Sequence, residues 1–118
     1  MAALYYLGTA HARLGDFESA AAYYRKYVDN RPSSLGGYLG LAEALDRLGE
    51  TEAAERAYVS AVRKFPENKL TYELTIRHMI RNGKEREAEP YAVALRKKDP
   101  NNETALALLG KLEGKSPE

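Results

Sequence analysis

Glycine, alanine and proline each return in this chain at a fixed interval of 34 residues. Gly15, Gly49 and Gly83 form one series, Ala20, Ala54 and Ala88 a second, and Pro32, Pro66 and Pro100 a third. A period of roughly 20 to 50 residues marks a repeat array, in which each unit cannot bury its own apolar face and stacks on its neighbours. The 118 residues therefore divide into units 1–34, 35–68 and 69–102, a partial fourth at 103–113, and a flexible tail at 114–118.

Within each unit the apolar residues fall at helical spacing on two segments. In the first unit Leu4, Leu7, Ala10 and Leu14 mark one helical face, and Phe17, Ala20, Ala21, Tyr24 and Val28 mark another. Segments of about 13 residues make helices of roughly 20 Å. The glycine between them supplies the left-handed turn that satisfies the last carbonyls, and Arg13, Arg47 and Arg81, two residues earlier, complement the helix dipole. The proline ends the second helix, because it cannot continue the hydrogen-bond ladder. Ala20, Ala54 and Ala88 allow close approach of antiparallel helices, and Tyr24 and Tyr58 fill the wider gap beyond. Pro90 falls inside a second helix, at an outer position where a mild kink is tolerated.

These residues resemble the tetratricopeptide repeat, whose signature runs from an aromatic through Leu-Gly and a tyrosine to Ala, Phe and Pro. The first unit matches at Leu7-Gly8, Gly15, Ala20, Tyr24 and Pro32, with Leu4 in place of the aromatic and His11 in place of the tyrosine. The second matches at Tyr38, Leu41, Gly49, Ala54, Tyr58, Ala61 and Pro66. The third keeps Tyr72, Gly83, Ala88 and Pro100 but has Thr75-Ile76 for Leu-Gly and Ala92 for an aromatic; the fourth offers Leu106 and Leu109-Gly110. The resemblance implies an all-α, right-handed superhelical solenoid of antiparallel helix pairs, about three units and a C-terminal helix. It also implies a protein-interaction scaffold that holds a peptide or helix of a partner on its concave face, which the first helices line.

Composition narrows the alternatives. No apolar run is long enough to span a membrane, and the first residues lack the charged start of a secretory signal, which favours the cytoplasm. Zero cysteines exclude disulfides and thiolate chemistry without deciding the compartment. A net charge of +1 argues against bulk binding of nucleic acid. The charge is uneven: unit two carries four basic and six acidic residues, unit three eight and five. Neither His11 nor His78 has a catalytic setting, and the chain holds no metal-spaced cluster or phosphate loop. No enzyme and no cofactor is expected.

Positions turned away from the second helix place Tyr5, Thr9 and Arg13 on the groove in unit one. Leu39, Glu43, Asp46 and Arg47 follow in unit two, Leu70, Glu73, Arg77 and Arg81 in unit three, and Ala107 and Lys111 on the last helix. An apolar strip flanked by charges suits a docked helix or extended segment. Chaperone-binding members of the resembled family hold a partner's terminal carboxylate with Lys, Asn and Arg; the equivalent positions here are Tyr5, Thr9, Gly40, Leu70 and Leu74, and none matches. Ala105 to Leu109 are five consecutive apolar residues. They point to self-association or array continuation through Leu108 and Leu112. Two rival readings stay open: a self-assembly module joining copies through the array ends, and a regulatory segment of a larger protein.

Overall fold

Seven α-helices follow one another in the computed structural model, which describes residues 2–114. They are α1 (Ala2–Arg13), α2 (Phe17–Asn30), α3 (Leu35–Arg47), α4 (Thr51–Lys64), α5 (Lys69–Arg81), α6 (Glu85–Lys98) and α7 (Glu103–Gly114). Among the described residues there is no strand. The last helix runs to Gly114, one residue past the expected boundary; the remainder of the expected tail, residues 115–118, lies outside the described residues.

Each periodic residue has its expected local role. Among the described residues, those with positive φ are Gly15, Gly49 and Gly83, at 82°, 81° and 74°. Each closes its helix with the same pair of bonds: Gly15 N–H donates to Ala12 O and Asp16 N–H to His11 O, and the pattern repeats at Gly49–Glu50 and Gly83–Lys84. That is the Schellman arrangement, which only a left-handed residue permits. Helix starts are held by Asp16, Ser34, Asn68 and Asn102, whose side chains accept from the backbone N–H three residues on. Pro32, Pro66 and Pro100 each follow directly on a helix C-cap, at Arg31, Phe65 and Asp99. Pro90 is exposed and α6 continues through it. The carbonyl that loses its donor, on Arg86, belongs to an exposed residue that water can reach.

The chain forms two compact units, Met1–Phe65 and Pro66–Glu118. In the first, α1 packs on α2, α2 on α3 and α3 on α4. Its interior holds Ala20, Ala21, Tyr24, Val28, Leu41, Leu45, Ala54, Tyr58 and Ala61. In the second, α5 packs on α6 and α6 on α7, around residues that include Ile76, Met79, Ala88, Ala92, Leu95, Ala105 and Leu108. Ala20, Ala54 and Ala88 are all fully buried, as their steric role requires.

The third repeat's departures compensate one another. Gly8 of α1 faces the Tyr24 ring of α2, so a small residue opposes a large one. One period on the pair becomes Ala42 and Tyr58, and two periods on it becomes Ile76 and Ala92, all buried. The bulk has moved from the second helix to the first while the pair stays filled, the kind of exchange that close-packed interiors tolerate. Thr75, the other departure, is buried with its hydroxyl donating to Thr71 O at 2.7 Å. His78 is buried too, and Asn82 Nδ2 donates to its carbonyl at 2.8 Å.

Candidate functional site

In the first unit a cleft of about 280 Å³ opens between α1 and α3. Thr9 and Arg13 line it from α1, Gly40, Glu43 and Arg47 from α3, and Phe17 and Tyr24 of α2 close its base. The spacing explains the convergence: Thr9/Arg13 and Glu43/Arg47 are each four residues apart, one turn along one helical face.

Several contacts set the geometry. Thr9 Oγ1 and the Tyr24 hydroxyl are hydrogen-bonded at 2.8 Å, so the polar end of a buried ring is satisfied at the cleft base. The Arg47 guanidinium lies 5.3 Å from the Phe17 ring centroid, and its Nη2 is 3.6 Å from Glu43 Oε2. Stacking on an aromatic face and pairing with one carboxylate restrict the guanidinium while leaving other N–H groups free to donate. Both side chains remain more than half exposed, so the pair itself adds little stability. Arg13 is exposed at the rim. With two guanidinium groups against one carboxylate, the cleft is net positive.

At the same end of the unit, Asp16 caps α2 and meets His11 at 3.2 Å, and His11 stacks on Tyr23 with ring centroids 5.3 Å apart. Hydrogen bonds from Ser19, side chain and backbone, hold the Asp16 carboxyl below its ordinary range, and His11 adds to the effect. His11 is thus a structural group, in keeping with its place in the repeat.

The structure gathers Thr9, Arg13, Glu43 and Arg47 of the expected groove residues into one cleft and places the others elsewhere. Tyr5 packs against Tyr24 and Tyr27, with centroids 5.7 and 5.3 Å away, and covers Gly36. It therefore has a packing duty that its unpatterned place in the sequence did not suggest. Leu39 and Asp46 are half-buried outside the cleft lining. In the second unit Leu70, Arg77, Arg81 and Ala107 are exposed. Glu73 is half-buried and accepts from Asn102 Nδ2, and Lys111 pairs with Glu85 at 2.5 Å, so both serve internal contacts.

The assignment of Leu108 and Leu112 to a self-association surface is corrected. They are 2% and 6% exposed. In the repeat register they correspond to Gly40 and Ala44, the side of a first helix that turns toward the preceding hairpin, and α6 packs on α7 there. The exposed leucine of that helix is Leu106. Ala12, Phe17, Tyr24, Gly40 and Ala44 complete the cleft, and none of them is a binding residue by the spacing argument. Gly40 carried a usable signal, because a glycine in mid-helix costs about 1 kcal/mol and so marks a close approach.

The sequence profile of the tetratricopeptide repeat matches residues 1–34 and 39–103, and the chain belongs to that family. No curated protein matches it. Among solved structures it is similar to the first tetratricopeptide domain of Spaghetti (RPAP3) bound to the HSP90 peptide SRMEEVD. The identity is 23%, with a TM-score of 0.77 over 95% of this chain and 89% of that one. The Arabidopsis OM64 tetratricopeptide domain is 18% identical, with a TM-score of 0.77 over 97% and 94% of the two chains. The Yersinia enterocolitica type III secretion chaperone SycD, in complex with a peptide of the translocator YopD, is 16% identical, with a TM-score of 0.73 over 94% and 85%. At these identities the likeness is one of fold: an all-α helical repeat. Among the described residues no helix is long and apolar enough to cross a membrane.

Proposed function

We propose that this chain is a non-catalytic interaction module that holds a peptide or helix of a partner protein along the exposed faces of its first helices. The observation that carries the reading is the cleft in the first unit, where Thr9, Arg13, Glu43 and Arg47 converge over an aromatic base. Peptide complexes of Spaghetti and SycD support the same reading through the shared fold. Leu39 in the first unit, and the exposed Leu70, Arg77, Arg81 and Ala107 in the second, are the further candidate contacts on first helices.

The cleft chemistry selects the partner. A net positive lining over Phe17 and Tyr24 suits an acidic side chain beside an apolar one. The terminal-carboxylate mode is disfavoured, because Tyr5, Thr9, Gly40, Leu70 and Leu74 stand where that mode needs Lys, Asn and Arg. Tyr5 is also committed to ring contacts with Tyr24 and Tyr27.

Selection from a displayed peptide library, followed by fluorescence-anisotropy titration, tests this. The selected peptides should carry an acid next to an apolar residue and lose about tenfold or more in affinity for Arg47→Glu or Arg13→Glu. The peptide SRMEEVD should bind poorly. Peptides that bind both variants as tightly as the parent chain would remove the cleft from the account.

A further inference from the structure

Among the described residues the exposed large apolar side chains are Leu14 and Leu48 in turns, Leu70 on α5, and Tyr6, Leu7 and Leu106 on the first and last helices. Leu106 is 44% exposed on α7; Tyr6 is 67% and Leu7 40% exposed on α1, with Leu14 just past its end. On α1 they join Ala3 and Ala10 in one uncharged stripe at helical spacing. On α7, Leu106 shares the exposed face with Gly110, between Glu103 and Glu113.

The repeat register says what such stripes do. Ala2, Ala3, Tyr6 and Ala10 of α1 correspond to Gly36, Gly37, Gly40 and Ala44 of α3. There Tyr5 covers Gly36, Tyr27 and Val28 cover Gly37, and Tyr24 covers Gly40. Leu106 and Gly110 of α7 correspond to Tyr38 and Ala42, on a helix that α4 covers. Both stripes therefore occupy places that another helix fills elsewhere in the same chain.

We infer that the two stripes are covered by each other in different molecules, α1 of one copy lying antiparallel on α7 of the next. Aligned so that Tyr6 meets Gly110, the pairing brings Ala10 opposite Leu106 and Arg13 opposite Glu103. Size complements size at both apolar positions, and charge complements charge at the end. The chain itself shows how an aromatic ring seats on a helix glycine, with Tyr24 on Gly40 and Tyr5 on Gly36. α1 carries no acid in its first turn, so its positive dipole end faces Glu113 without repulsion. The contact is heterologous: each copy offers a head and a tail, and further copies add in the same sense. A two-helix contact of this kind falls at the small end of specific interfaces, below about 1,200 Å², so association is expected to be weak and concentration-dependent.

Sedimentation equilibrium and light scattering from about 10 μM to about 1 mM test it. The wild-type chain should pass from the mass of one chain to more than two. Tyr6→Glu and Leu106→Glu should each stay at one chain with unchanged helical circular dichroism. Mixed in equal amounts they should form a 1:1 complex and stop, since each retains the half that the other lacks. Tyr6→Ala, which keeps the stripe uncharged, should weaken assembly at least fivefold and serves should the glutamate variant misfold. A wild-type chain that remains single at the highest concentration overturns the inference. So does assembly of either glutamate variant at the parent's concentration, or a mixture that does not pair.

Discussion

The ring of Tyr24 fills the space that a side chain on Gly40 would need: a Cβ there would stand 2.6 Å from Tyr24 Cζ. The same ring also packs on Gly8, where a Cβ would stand 2.9 Å from it, and its hydroxyl is hydrogen-bonded to Thr9. Gly40→Ala should therefore cost about 1–3 kcal/mol through overpacking. In a Tyr24→Leu background the same substitution should cost less. Denaturant titration of the four proteins in this cycle measures the coupling, and equal costs in both backgrounds would show that the clash is relieved elsewhere.

Gly49 poses the opposite case. Its φ is +81°, yet nothing lies within 4 Å of where a Cβ would be. Gly49→Ala should therefore carry the backbone penalty alone, about 1–2 kcal/mol. Gly49→Asn should cost less, since asparagine tolerates that conformation better. Thermal unfolding with a matched m-value analysis distinguishes the two substitutions; an asparagine variant as unstable as the alanine variant would contradict this.

Asp16 makes the first unit sensitive to acid. Its folded pKa is lowered by Ser19 and, to a lesser degree, His11. A depressed carboxyl contributes stability fully above its unfolded value, near 3.9, and loses it as pH falls through the lower folded value. The Tm gap between wild type and Asp16→Ala should thus close as pH is lowered from about 5 to about 2. The gap between Asp16→Asn and Asp16→Ala should stay level, because asparagine caps without a charge.

Asn102 joins three elements of the second unit. Its Oδ1 accepts from Ala105 N–H at 3.0 Å, and its Nδ2 donates to Glu73 at 2.5 Å and to Asp99 at 3.3 Å. Asn102→Ala should cost about 1–3 kcal/mol, for the lost cap and an unsatisfied partner. Asn102→Asp keeps the cap but sets a third carboxylate against two others. Its deficit relative to wild type should shrink as salt is raised, because screening weakens the repulsion among the three carboxylates. A deficit that is flat with salt would mean the three groups move apart.

Fold class was legible because the repeat depends on backbone-level requirements that residue type reveals. A left-handed turn asks for Gly15, a close crossing for Ala20, and a helix stop is marked by Pro32. The cleft was only partly legible. Thr9, Arg13, Glu43 and Arg47 follow from helical spacing, whereas Phe17 and Tyr24 reach it from the second helix, which the spacing argument assigned wholly to packing. Leu108 and Leu112 were misread because a run of apolar residues does not say which side of α7 meets α6. The register against Gly40 and Ala44 does. Glu73 and Lys111 were absorbed by partners 29 and 26 residues away, which no local pattern displays.

The three glycines of α3 have a consequence for how the first unit comes together. Gly36, Gly37 and Gly40 lie in its first half, and each lowers intrinsic helicity by about 1 kcal/mol relative to alanine. Left to itself, this stretch of backbone prefers the coil. Its order comes from packing, against Tyr5, Tyr24, Tyr27 and Val28 of the hairpin before it and against α4 after it. The helix that lines half of the cleft therefore exists only in the company of its neighbours.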